Sequence, residues 1–279
     1  MNRFKRSIEL AKASWSVLNQ DRSLLMYPVV SAIAVLVLAA LIAGPLFLAG
    51  ALNGDSSSNR GPVAIVALFV IYFVCYSAIF FCNTAMVSVA MLRLGGSREP
   101  ASGWAFARSR LAPILGYAAI AATVGVILHV ISERSGVVGR IAAAIGGAVW
   151  SIATFLVVPV LVAENLGPID SVKRSGSLLK RTWGEQIIGT SGIGLVTGLA
   201  GLAVILVAAG LAALFSAIGV TALMILVIVL AAIAIAGIAV ISSSLDAIYK
   251  SALYRYANGQ SSSAFPAQDL LPGAFRPKA

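Results

Sequence analysis

The chain has 279 residues, of which 59% are hydrophobic and only 11% charged, with a formal net charge of +10. A soluble domain carries about 25% charged residues, so the composition excludes an ordinary globular enzyme. The positive excess is expected to face anionic lipid headgroups rather than nucleic acid.

Residues 1–24 are amphipathic and basic. In "FKRSIELAKASW" (residues 4–15) and just beyond it, Phe4, Ile8, Ala11, Trp15 and Leu18 step by 4, 3, 4 and 3 and so share one helical face. Lys5, Glu9 and Lys12 point elsewhere, which predicts a helix lying in the membrane interface with Trp15 at headgroup level. A bilayer core about 30 Å thick needs roughly 20 apolar residues to cross it. The first such run, about 26–50, is too long for the h-region of a signal peptide and is expected to be retained as a span. After the polar loop "LNGDSSSNRGP" (52–62) comes a second run, about 63–92. Cys75 and Cys82 lie seven residues apart in it and are read as packing residues, too far apart on one helix to form a disulfide.

The segment "ASGWAFARSRLAP" (101–113), with Trp104, Arg108 and Leu111, predicts a second interfacial helix at about 100–112. Spans at about 113–132 and 139–163 follow. "ENLGPID" (164–170) closes the fourth span, and Pro168 suits the first turn of a third interfacial helix, 168–183. Spans at about 187–214 and 219–250 complete a six-helix membrane domain, 25–257, and the aperiodic tail 258–279 is expected to be flexible. The third interfacial helix echoes the first: Lys5, Arg6, Ser7, Leu10, Lys12 and Trp15 recur, 168 residues on, as Lys173, Arg174, Ser175, Leu178, Lys180 and Trp183. In this copy Val172, Leu179 and Trp183 form the expected apolar face. The reading is an all-α integral membrane protein of three hairpin units, each an interfacial helix, a span out and a span back, arranged about an axis along the membrane normal.

Seventeen of the 20 basic residues fall on the side of the two termini, against Arg60, Arg134 and Arg140 on the other. Basic residues stay cytoplasmic, so both termini are expected in the cytoplasm and the protein in the cell (inner) membrane. The expected headgroup or partner contacts are Lys5, Arg6, Lys12, Trp15, Arg108, Lys173, Arg174, Lys180, Arg181 and Trp183.

Catalytic chemistry finds little support in the sequence. "GTSG" (189–192) resembles the serine motif of intramembrane proteases, but the single histidine, His129, lies about 24 Å deep from the cytoplasmic side and Ser191 about 8 Å. A dyad needs contact near 3 Å, so the two do not form one. Ser191, Gly194, Gly198 and Gly201 are instead expected to form a small-residue stripe for close helix packing. One His and two Cys leave no metal or haem ligand set, and no cofactor is expected. Asn83 is expected to hydrogen-bond across to a neighbouring helix. Glu164 and Asp246 each end a return span near Lys173, Arg174 and Lys250, either as pinning charge pairs or as a shallow polar site facing the cytoplasm.

"VPVLVAENLGPIDSVKRSGSLLKRTWGEQIIG" (158–189), "ALYRYANG" (252–259) and "LLPGAFRPK" (270–278) resemble an uncharacterised prokaryotic group of six-span membrane proteins, domain of unknown function 6159. The resemblance implies the topology and an inner membrane, with Glu164 to Trp183 as a signature, and carries no functional residue with it. Three functions remain open. The leading one is a non-enzymatic protein organising lipid or partner proteins at the cytoplasmic face. The second is a transporter or channel for a lipid-like or apolar substrate, and the third, disfavoured, is an intramembrane enzyme.

Overall fold

The computed structural model describes residues 3–48, 61–97, 99, 102–183 and 192–260. Among these the regular structure is helical: α1 (Arg3–Gln20), a 3-10 turn (Arg22–Leu25), α2 (Met26–Leu48), α3 (Gly61–Leu94), α4 (Gly103–Ser109), α5 (Leu111–Arg134), α6 (Gly136–Ala153), α7 (Val157–Ala163), α8 (Pro168–Trp183), α9 (Gly192–Ala217) and α10 (Thr221–Ala257). Six stretches are long and apolar enough to cross a bilayer, and the fourth of them, Gly136–Ala163, is made of two helices rather than one. The tail beyond residue 260 lies outside the described residues.

Neighbours in sequence pair as hairpins, α2 with α3, α5 with α6 and α9 with α10. Glycines at positive φ make two of the turns, Gly136 at the first position of α6 and Gly219 before α10. The connecting helices do not pack on their own hairpins so much as on the preceding one. α4 lies on α3, α8 on α5, α6 and α7, and α1 closes the ring against α9 and α10. The return helices α3, α7 and α10 touch one another inside that ring.

The buried core sits where these helices meet, at the end that carries the connecting helices and most of the basic residues. Val17, Leu18, Leu24, Leu94, Leu178, Ile248 and Leu253 are all buried there. Toward the opposite end the hairpins present Leu206, Val207 and Ile233 outward, each 63% exposed, as helices in contact with lipid do. Small residues let the backbones approach. On α10, Ser244, Ala247, Ile248, Ser251 and Ala252 share one buried face. The hydroxyls of Ser244 and Ser251 donate back to Val240 O (3.0 Å) and Ala247 O (2.7 Å), and Ser244 also reaches Leu24 O in the 3-10 turn at 3.5 Å.

Two contacts tie the first unit together. Asp21 caps the 3-10 turn, accepting from Ser23 N (3.0 Å), and also accepts from Arg93 Nε (2.8 Å) at the end of α3. Arg93 Nη1 donates in turn to Ser97 O (3.0 Å) and Glu99 O (2.8 Å). Burial raises the Asp21 carboxyl, but the bonds from Ser23 and Arg93 outweigh it and leave the pKa below the ordinary 3.8. A depressed folded pKa means that this contribution is present above the unfolded value and is lost as pH falls through the folded one. The second contact is the start of α4. A Cβ on Gly103 would strike the Ala85 carbonyl oxygen and lie 2.6 Å from the Tyr27 hydroxyl, while the Trp104 ring packs tilted at 45° against Tyr27, centres 4.7 Å apart.

The expected stripe on α9 is not a packing seam. Gly194 and Gly198 are exposed, and a Cβ on Gly198 or Gly201 would meet nothing within 4 Å; Ser191 lies outside the described residues. α9 instead meets α10 through residues such as Thr197, 3.0 Å from the Ser242 hydroxyl. The two glycine classes therefore separate on mutation. Gly103→Ala should destabilise the protein by about 2 kcal/mol, the cost of overpacking, whereas Gly198→Leu should leave it unchanged. Melting of the two variants in detergent checks this, and equal melting temperatures would contradict the seam at Gly103.

Candidate functional site: a cavity at the broken fourth span

The break between α6 and α7 follows from Pro159. Proline has no N–H to offer the carbonyl four residues back, and its ring crowds that turn. The chain leaves the helix at Thr154–Leu156 and resumes at Val157. In an apolar surround each freed N–H needs a partner. Thr154 N donates to Trp150 O (3.0 Å), Phe155 N to Ile152 O (3.2 Å) and Val157 N to Thr154 O (3.1 Å). Leu156 N finds its partner on another helix, the buried Ser175 hydroxyl of α8, at 3.0 Å.

Beside the break lies a cavity of about 290 Å³ between α3, α5, α6–α7 and α10, lined by Tyr76, Asn83, Tyr117, Trp150, Thr154, Phe155, Asp246 and Lys250 among others. Its two charges pair, Lys250 Nζ to Asp246 Oδ2 at 2.7 Å, and the ammonium also lies 4.7 Å from the centre of the Phe155 ring. Tyr117 packs with its ring centre 4.5 Å from that of Phe80 and borders the cavity beside Thr154. The expectation for Asn83 is corrected: among the described residues it makes no hydrogen bond to a neighbouring helix, and its amide faces the cavity.

Glu164 and Asp246 do not form one site. Glu164 takes Arg174 Nε on both oxygens (3.0 and 2.9 Å) and the Tyr254 hydroxyl on Oε1 (2.7 Å). Arg174 Nη2 continues to Asn258 Oδ1 at 3.1 Å. Tyr254 is eight residues from Asp246, about 12 Å along α10. Lys173 is turned away from Glu164 and lies 3.5 Å from Asp170, largely exposed.

The expected headgroup contacts divide. Lys12, Arg108, Lys173 and Lys180 are exposed, with Lys12 and Lys180 at equivalent places in the repeat. Arg174 is held by Glu164, so it is withdrawn from that set. Trp15 is 45% exposed beside Lys12, whereas Ala13, Val17 and Leu18 are buried, so the face expected to hold Trp15 with Leu18 is split between surroundings and protein. Likewise α8 buries Ser171, Ser175, Leu178 and Leu179 rather than a face of Val172 and Leu179 alone. The side chains of Lys5, Arg6, Arg181 and Trp183 lie outside those described, and His129 is exposed. The cavity itself was missed in the sequence. Its signal was Pro159 inside an apolar run together with Lys250 four residues after Asp246.

Glu164→Gln should cost about 2 kcal/mol, the worth of hydrogen bonds to a charged group. Arg174→Lys alone should also destabilise the protein, by a similar amount, because an ammonium lacks the planar fork that bridges Glu164 and Asn258. Melting of each single variant checks both statements.

Neither the curated proteins nor the solved structures yield a match to this chain. The profile of a family of unknown function (DUF6159) matches residues 62–264, a stretch that contains the broken span, the cavity residues and the Glu164–Arg174–Tyr254 network. The chain therefore belongs to the DUF6159 family.

Proposed function

We propose that this is a non-enzymatic multipass protein of the cell membrane, with both termini cytoplasmic, that organises anionic lipid around its cytoplasmic face. One observation carries the reading. α1, α4 and α8 turn one face into the protein and present Lys12, Trp15, Arg108, Lys173 and Lys180 outward at a single end of the bundle. Cations at that level draw in anionic heads, and an exposed indole beside Lys12 is suited to the boundary between heads and chains. The seventeen-to-three distribution of basic residues supports the orientation. The break in the fourth span supports a second reading, transport of a lipid-like substrate, because interrupted helices recur at the sites of transporters.

Lipid co-purified with the full-length protein in a membrane-extracting polymer tests the first reading. Each basic residue near an anionic surface contributes about 1 kcal/mol. The triple variant Lys12→Gln, Lys173→Gln, Lys180→Gln should therefore lose most of the enrichment in anionic lipid while keeping its melting temperature. Unchanged enrichment would refute the reading, and lipid scrambling by the purified protein in liposomes would favour the second.

A further inference from the structure

We propose that the cavity at the broken span holds the head of one zwitterionic phospholipid bearing a primary ammonium, its phosphate on Lys250 and its ammonium on Asp246. This rests on the lipid-organising reading and assigns it a second, stoichiometric site.

Charge selects the class. The lining carries one anion and one cation, Asp246 and Lys250. An anionic head would set its phosphate against Asp246, and a purely cationic ligand would leave Lys250 unmatched. A zwitterion replaces one ion pair by two. Both side chains remain reachable, Lys250 at 28% and Asp246 at 45% exposure, in a surround where charge without a partner is costly.

The present occupant of the carboxylate shows which ammonium fits. Lys250 places a primary ammonium 2.7 Å from Asp246 and 4.7 Å from the Phe155 ring centre. A ligand ammonium in that position gains the same hydrogen bond and the same ring face, and Trp150 lines the cavity beside it. A quaternary ammonium could use the rings but could not donate to the carboxylate. Asn83 adds a donor and an acceptor that no other described residue engages, and a polar amide in an apolar span is costly without partners.

Size and position agree. Pockets for small ligands run from about 300 to 1,000 Å³, so 290 Å³ admits a head and glycerol but not the chains. No packed seam joins α6 to α9 or α10 among the described residues, which leaves the chains a path between the second and third hairpins. Lys250 lies about 10 Å from the end of α10, toward the end that carries the basic connecting helices.

The test uses the full-length protein, washed in detergent and offered phosphatidylethanolamine, phosphatidylcholine or phosphatidylglycerol, with retained lipid counted by native mass spectrometry. One phosphatidylethanolamine should survive washing, preferred about fivefold or more over either competitor, the ratio expected for one ion pair of about 1 kcal/mol. Asp246→Asn should invert the preference toward phosphatidylglycerol, and Lys250→Gln should lower retention of all three. If Asp246→Asn fails to fold, Ser151→Trp, which fills the cavity from its wall, should expel the retained lipid. Retention of phosphatidylglycerol equal to or above that of phosphatidylethanolamine by the unmodified protein, retention of no lipid, or a preference unmoved by these variants would overturn the assignment. The two readings fail separately, since the anionic shell is the set of many lipids that exchange on washing and the cavity lipid is the one that stays.

Discussion

The meeting of α3, α7 and α10 near their basic ends holds the rest of the fold in place. Between lipid tails, apolar side chains gain nothing by transfer from lipid to protein, and packing of small residues with hydrogen bonding has to hold helices together. At the membrane surface, water restores the hydrophobic effect. The core obeys that division. Leu18, Leu24, Leu94, Leu178 and Leu253 are buried on segments at or beyond the ends of the spans, where their alternative is water. The opposite halves of the hairpins, whose alternative is lipid, stay apart from one another and leave their large side chains exposed. A bundle gathered at one end and splayed at the other follows from which solvent each segment meets.

This also explains why one cationic segment occurs twice. Each connecting helix crosses to the preceding hairpin, so each needs an inner face of small and apolar residues, while its outer face is free to carry charge. α1 supplies Ser14, Val17 and Leu18 inward and Lys12 and Trp15 outward; α8 supplies Ser175, Leu178 and Leu179 inward and Lys173 and Lys180 outward. Similar positions in a ring call for similar sequences.

The spans, the hairpins and the start of α8 at Pro168 were legible because apolar run length and turn residues are local signals. Facing was less so. Placing Trp15 with Leu18 assumed one apolar face directed at lipid, but α1 buries Leu18 against protein and leaves Trp15 exposed, and periodicity alone does not say which apolar residue goes where. The glycines of α9 misled for a related reason: a small-residue stripe permits close approach, but a second helix must arrive, and α10 arrives on the Thr197 side. The stripe that does pack, Ser244 to Ala252, is written in Ser and Ala and ends in charged sequence, so it read as a span terminus. Asp246 and Glu164 looked alike because both sit at span ends; only the fold shows one fixed by Arg174 and Tyr254 and the other opening on a cavity.

The cavity itself is a consequence of the break. Were the fourth span continuous, its return half would run alongside α10 as α3 does, and the seam between the second and third hairpins would close. Pro159 reduces the helix on the axis to Val157–Ala163, about 10 Å long. That length reaches α10 only near its basic end, and α6 departs from there toward α5. The gap left above α7 is where Asn83, Trp150 and Asp246 face one another. The turn bounding it would be unstable in hydrocarbon without a partner for Leu156 N–H, and Ser175 provides that partner from α8. α8 thus has two roles at once: its lysines Lys173 and Lys180 are exposed on one side, and its buried serine holds the turn that carries Phe155 and Thr154. Through that one hydrogen bond α8 is joined directly to the turn that forms the cavity wall.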